Sequence, residues 1–181
     1  LLLQNGVRFL LYSVTAAVVV TVFVFHPGIG WYERAKFVDM VHGEAYRPYV
    51  YRVLVPGTIR LISNLTPSRI KLSVQSGLQD TKLIRTLGWE HDHLYEYAVA
   101  AVVFFCCFLG FAFVLRRLIQ QFYRFPPFVP DFMPIVGLVI LPVFFRYYSH
   151  LYDPATLLLS ALALACLVSN RSLLFYIVFA L

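Results

Sequence analysis

The candidates for binding a charged group or moving a proton are Glu33, Asp39, Glu44, Arg47, Arg52, Arg146, His150 and Asp153. They fall in two polar islands, residues 31–56 (WYERAKFVDMVHGEAYRPYVYRVLVP) and residues 145–154 (FRYYSHLYDP). A carboxylate within hydrogen-bond reach of a hydroxyl can serve as its general base. Arginine matches a phosphate bidentately. Trp31, Tyr32, Tyr46, Tyr49 and Tyr51 are interleaved with these charges, and rings beside charges favour a membrane–water boundary. In a chain that is 60% hydrophobic and 13% charged, a site is expected in these islands. Each candidate also has a plainer role. The acids can be solvated or face headgroups, the arginines can snorkel or touch anionic lipid, and Asp153 can cap the helix that follows.

The elements that must position these residues are strongly apolar. A mean hydropathy of +0.75 with 17% aromatic residues predicts an all-α, polytopic integral membrane protein. The 181 residues hold about four full transmembrane helices plus a truncated fifth, with one substantial loop. The expected spans are 7–25, ended by His26-Pro27-Gly28, and 95–115, ended by Arg116 and Arg117. A third, 128–145, carries Pro130, Pro134 and Pro142 and is expected to kink. A fourth, 153–168, has Pro154 in its first turn. After the polar turn 169–172, the run 173–181 is too short to cross a core about 30 Å thick. The chain therefore reads as a single transmembrane domain, a fragment of a longer protein. It divides into a first span at 1–25, an outer loop at 26–94 and the remaining spans at 95–181. No small-residue cleavage site follows the first span, so it is expected to stay as an anchor.

Short loops set the orientation. Arg8, Arg116, Arg117, Arg124 and Arg171 fall on one side of this topology, which is then cytoplasmic together with the amino terminus. Loop 26–94 and the turn 146–153 lie outside, in a plasma or inner membrane. The loop is too apolar for a flexible linker. Val50, Val53, Leu54, Leu61 and Ile62 against Arg52 and Arg60 make an amphipathic stripe suited to the interface. Thr66-Pro67 reads as a helix start, with Thr66 as cap, and Ile70, Val74 and Leu78 then recur every four residues. Two membrane-hugging helices are expected.

Several classes are excluded or unsupported. No basic run suits nucleic acid at a net charge of +6. Cys106, Cys107 and Cys166 lie in apolar spans and form no CxxC pattern. The run 89–96 (WEHDHLYE) is the densest set of metal-ligating types, but it lacks HExxH or a comparable set. It reads as a polar collar; the cofactor is left open, with a divalent metal as an option that no ligand motif supports. Asn64-Leu65-Thr66 matches a glycosylation sequon, but Pro67 follows and the motif is frequent by chance.

The pattern Tyr-x-x-Ala-x7-Gly-x-x-Tyr-x-Pro, read at Tyr32, Ala35, Gly43, Tyr46 and Pro48, resembles the start of GT-C superfamily glycosyltransferases. The turn FRYYSHLYDPATLLLSALAL at 145–164 resembles a later part of the same membrane core. The resemblance implies sugar transfer from a polyprenyl-phosphate donor at the outer membrane face, with an acid of the first outer loop as general base or metal contact. The family's acid stands at the outer end of the first span, where this chain has His26-Pro27-Gly28-Ile29-Gly30. Glu33 is the nearest substitute, with Asp39 and Glu44 as alternatives; otherwise the chain lacks activity. Arg47, Arg52, Arg146 and His150 would clamp the lipid phosphate, with Asp153 beside them. The competing expectation is a non-enzymatic accessory or scaffold subunit. Its aromatic spans would pack lipids, pigments or partner membrane subunits, and Ala98, Ala100, Ala101 and Gly110 would allow close helix approach. Transport is a weaker third reading, because the spans hold almost no ionisable residue at mid-depth.

Overall fold

The longest apolar run folds as the longest helix, and the others pack around it. The computed structural model describes residues 2–29, 32–49, 52–79, 81–126, 128–145 and 150–180, which are helical with short connections and, among the described residues, contain no strand. Helix α6, in the element order below, spans Leu94–Phe122. Its buried residues Tyr97, Ala100, Phe104, Cys107, Phe108 and Ala112 step by threes and fours along one face. Helix α1 (Leu2–Phe23) answers with Tyr12, Ala16, Val19 and Phe23 at the same spacing, all buried. The Phe23 ring meets Phe104 edge-on at 5.0 Å. Helices α7 (Phe128–Phe145) and α8 (Asp153–Val168) pack on other sides of α6, and α9 (Ser172–Ala180) packs on α8. Gly110 of α6 permits the close approach of α8: an added Cβ would lie 3.2 Å from Leu158 Cδ1.

The outward faces are apolar as well. On α1, Val14 and Val18 are 55% and 56% exposed; on α7, Val139 and Val143 are 59% and 65% exposed. A helix apolar all round needs protein or lipid on every side. Among the described residues, two helices, Asn5–His26 and His91–Phe122, are long and apolar enough to cross a membrane. With 18 and 16 residues, α7 and α8 rise about 27 and 24 Å, short of a core of about 30 Å. The expectation of four full spans is met by two helices on length.

One end of the bundle is tied by charge. Asp131, in the first turn of α7, receives Arg116 Nε at 2.7 Å on Oδ1 and Arg8 Nη2 at 2.9 Å on Oδ2. The Tyr12 hydroxyl donates to the Asp131 carbonyl at 2.9 Å. Three helices thus converge on one residue. At the other end α1 stops in a π turn, Val24–Gly28, where His26 leaves helical geometry (φ −147°, ψ 111°) and Pro27 supplies no N–H.

Loop 26–94 folds more than expected. It carries α2 (Phe37–His42), α3 (Leu54–Leu65), α4 (Ser68–Gln79) and α5 (Lys82–Leu87), where two helices were anticipated. Gly43 ends α2 in the left-handed region (φ 82°), as glycine can. Helix α3 buries Val55, Pro56, Ile59 and Ser63 against the core. It leaves Val53, Leu54, Leu61 and Ile62 outward, an apolar stripe as predicted; Val50 lies outside the described residues. Thr66 does not cap α4. Its hydroxyl donates to the Ile62 carbonyl and meets the Tyr95 hydroxyl, each at 2.7 Å, so it closes α3 instead. The turn at 169–171 is a Schellman cap. Arg171 N–H reaches the Cys166 carbonyl and Asn170 N–H the Leu167 carbonyl, with Asn170 at φ 54°. It returns α9 against α8.

Candidate functional site

The two polar islands meet where α3 and α8 begin. Arg52 stands just before α3 and places its guanidinium carbon 3.9 Å from the centre of the Tyr152 ring, in the turn entering α8. Pro154 lies in the first turn of α8 and the helix runs from there, leaving Asp153 as its first residue. Asp153 is therefore not the cap expected from sequence. Its Oδ2 reaches back to accept the His150 N–H at 2.6 Å. The His150 ring stacks with Tyr152 at 5.3 Å and packs against Tyr49 at 5.4 Å and Tyr32 at 6.1 Å. Tyr32 and Tyr49 meet edge-on at 5.8 Å. Rings from both islands thus lock Arg52 and Asp153 into one neighbourhood.

A cleft of about 740 Å³ opens beside them, within the range of small-molecule sites. Arg52, Tyr152 and Asp153 form its polar end. From there it follows one face of α8, past Thr156, Leu159, Ser160 and Ala163, to Val178, Phe179 and Ala180 of α9. Val53 and Leu54 complete the wall. The small side chains on that face of α8 leave the space. Charge sits at one end, and the rest is mostly hydrocarbon with the Thr156 and Ser160 side chains among it.

Electrostatics tune the polar end. Burial raises the Tyr152 phenol, which Arg52 opposes. Asp153 is a carboxylate beside a fixed cation, suited to accepting a proton beside a bound anion.

The remaining candidates lie elsewhere. Glu33 is exposed in the turn Glu33–Ala35, next to Arg34, whose guanidinium lies 5.4 Å from the Tyr46 ring. Asp39 is half-buried in the first turn of α2, and Glu44 is exposed just after its end. Arg47 is exposed. Among the described residues, the cleft lining contains none of these four. Arg146 lies outside the described residues, as do Trp31 and Tyr51. Arg52, His150 and Asp153 are the predicted residues brought together. Tyr152 is the site residue that sequence reasoning passes over; its only signal is its place in the run Tyr152-Asp153-Pro154.

The run 89–96 forms the collar of α6. His91–His93 is a 3-10 turn, closed by the His93 N–H on the Glu90 carbonyl at 3.1 Å. Glu96 accepts from Ser63 at 3.0 Å, and the His93 and His42 rings lie 5.3 Å apart. Trp89 stacks on Tyr97 at 4.7 Å, which stacks on Phe37 at 4.1 Å. Among the described residues, no group of three His, Cys, Asp or Glu side chains is arranged to hold a metal ion. No protein-family model, curated protein or solved structure matches this chain.

Proposed function

We propose that the chain is a polytopic membrane protein whose cleft holds a lipid-linked phosphate at the outer face, and that it transfers a sugar from that lipid as GT-C glycosyltransferases do. The observation that carries this is the polarity of the cleft, with Arg52 and Asp153 at one end and apolar walls behind them. In the proposed topology α1, α6, α7 and α8 cross the membrane. Apolar outward faces on α1 and α7 support it. So does charge: on the side away from the cleft, Arg8, Arg116, Arg117, Arg124 and Arg171 outnumber the single acid Asp131 beside them, which suits a cytoplasmic face.

The chemistry follows from the two charged groups. An acceptor hydroxyl gives its proton to the Asp153 carboxylate as its oxygen bonds the anomeric carbon. The bond from that carbon to the phosphate oxygen breaks, and its electron pair leaves on the phosphate, which Arg52 neutralises. Tyr152 and His150 hold Arg52 and Asp153 in place through the stacking and the N–H bond described above. Glu33, Asp39 and Glu44 remain alternative bases. The test is sugar transfer from a prenyl-phosphate donor by the purified protein in nanodiscs, with Asp153, Glu33, Asp39 and Glu44 replaced singly by the amide. Loss of transfer in Asp153→Asn alone is expected. Binding of the lipid phosphate without transfer by the unmodified protein would instead favour the accessory-subunit reading.

A further inference from the structure

The cleft has a depth as well as a polar end. Its lining residues on α8, from Asp153 through Thr156 and Ser160 to Ala163, recur at helical spacing over ten residues, a rise of about 15 Å. In the proposed topology that is the depth of one leaflet, half of a hydrocarbon core about 30 Å thick. At its inner end Ser160 and Ala163 share the lining with the last turn of α9, which the Schellman turn brings back alongside α8. The Thr156 hydroxyl is occupied by the Tyr152 carbonyl at 3.0 Å, leaving the wall below the mouth largely apolar.

We infer that this cleft reads the chain of its lipid ligand: a phosphate at Arg52 and a single hydrocarbon chain laid along α8, with Ser160 and Ala163 setting how far it can reach. The inference rests on the reading of Arg52 as a phosphate site. The argument for a membrane-derived amphiphile is charge complementarity at one end and a leaflet-length apolar wall at the other. A soluble sugar phosphate would leave the wall from Leu159 to Ala163 unused. The residues that select among lipid phosphates are then remote from the charged ones. Larger side chains at 160 and 163 occupy the place of the distal chain only.

The experiment compares geranyl phosphate, whose chain ends short of Ala163, with geranylgeranyl phosphate, whose chain passes it. Affinities are measured by competition for the full chain in nanodiscs, for unmodified protein, Ser160→Phe, Ala163→Phe and Arg52→Ala, with geranylgeraniol as the phosphate-free control. Ser160 is exposed, so its variant folds even where Ala163→Phe does not, and thermal unfolding checks both. The expected result is a fall of tenfold or more in the ratio of long-chain to short-chain affinity in the Ser160 and Ala163 variants. In Arg52→Ala both phosphates weaken and the ratio is kept. An unchanged ratio in Ser160→Phe, with phosphate and Arg52 still required, overturns the chain-length inference and leaves the phosphate site standing. Equal binding of alcohol and phosphate, indifferent to Arg52, overturns the phosphate site; a ratio that still falls in the plugged variants then retains the chain groove alone.

Discussion

Replacing Asp131 with alanine removes the residue on which α1, α6 and α7 converge, and its cost can be worked from the contacts. Two charge-assisted hydrogen bonds are lost, from Arg116 Nε at 2.7 Å and Arg8 Nη2 at 2.9 Å. A hydrogen bond to a charged group contributes about 1.5–3 kcal/mol. The side chains are partly solvated, with Arg8 at 17%, Arg116 at 24% and Asp131 at 36% exposure, which places each bond at the low end. Two guanidinium groups are then left facing each other without a counter-charge. The Tyr12 bond to the Asp131 backbone carbonyl survives, so the loss comes from the charges. The predicted destabilisation is about 2–4 kcal/mol, reaching only the lower part of the ~3–5 kcal/mol for breaking a fully buried pair. The assay is reversible unfolding in mixed micelles, on Asp131→Ala, Arg8→Met, Arg116→Met and the double variants. The clamp predicts strong coupling: Asp131→Ala should cost much less once both arginines are gone. A loss below about 0.5 kcal/mol, as for an ordinary surface site, or additive double variants, refutes the reasoning.

Three further outcomes follow. Gly110→Val sets its Cβ 3.2 Å from Leu158 Cδ1 and should cost about 1–3 kcal/mol by forcing α8 from α6, measured by the same unfolding assay. Gly43→Ala meets both a φ of +82° and the Arg60 Nη2 at 3.3 Å and should cost about 1–2 kcal/mol, read as a lowered melting temperature. Burial raises the Tyr152 phenol and Arg52 opposes that rise, so Arg52→Ala should move the titration of this phenol to higher pH, read by ultraviolet absorbance.

Much of the bundle was legible because apolar periodicity and proline placement fix helix positions directly. The helices α7 and α8 occupy the expected ranges 128–145 and 153–168, and the exposed stripe of α3 lies where the alternation of Arg52 and Arg60 with apolar residues put it. The loop was less legible. Thr66 has a cap's chemistry, but its hydroxyl is captured by Ile62 and Tyr95, the latter from a helix 29 residues away in sequence. Asp153 fails as a cap for a related reason: its carboxylate turns back to the His150 N–H. The meeting of Arg52 with Tyr152 joins residues 100 positions apart, and no local pattern encodes such a contact. Both islands were identified from composition. Which of their charges share a cleft was set by packing across α3 and α8.

The most direct test of the cleft is photocrosslinking with a prenyl phosphate carrying a diazirine partway along its chain, followed by peptide mapping of the full chain in nanodiscs. Label is expected on α8 around Leu159–Ala163 and on the last turn of α9, competed by unlabelled prenyl phosphate and lost in Arg52→Ala. Label spread over the outward faces of α1 and α7, unaffected by competitor or by Arg52, would contradict this expectation.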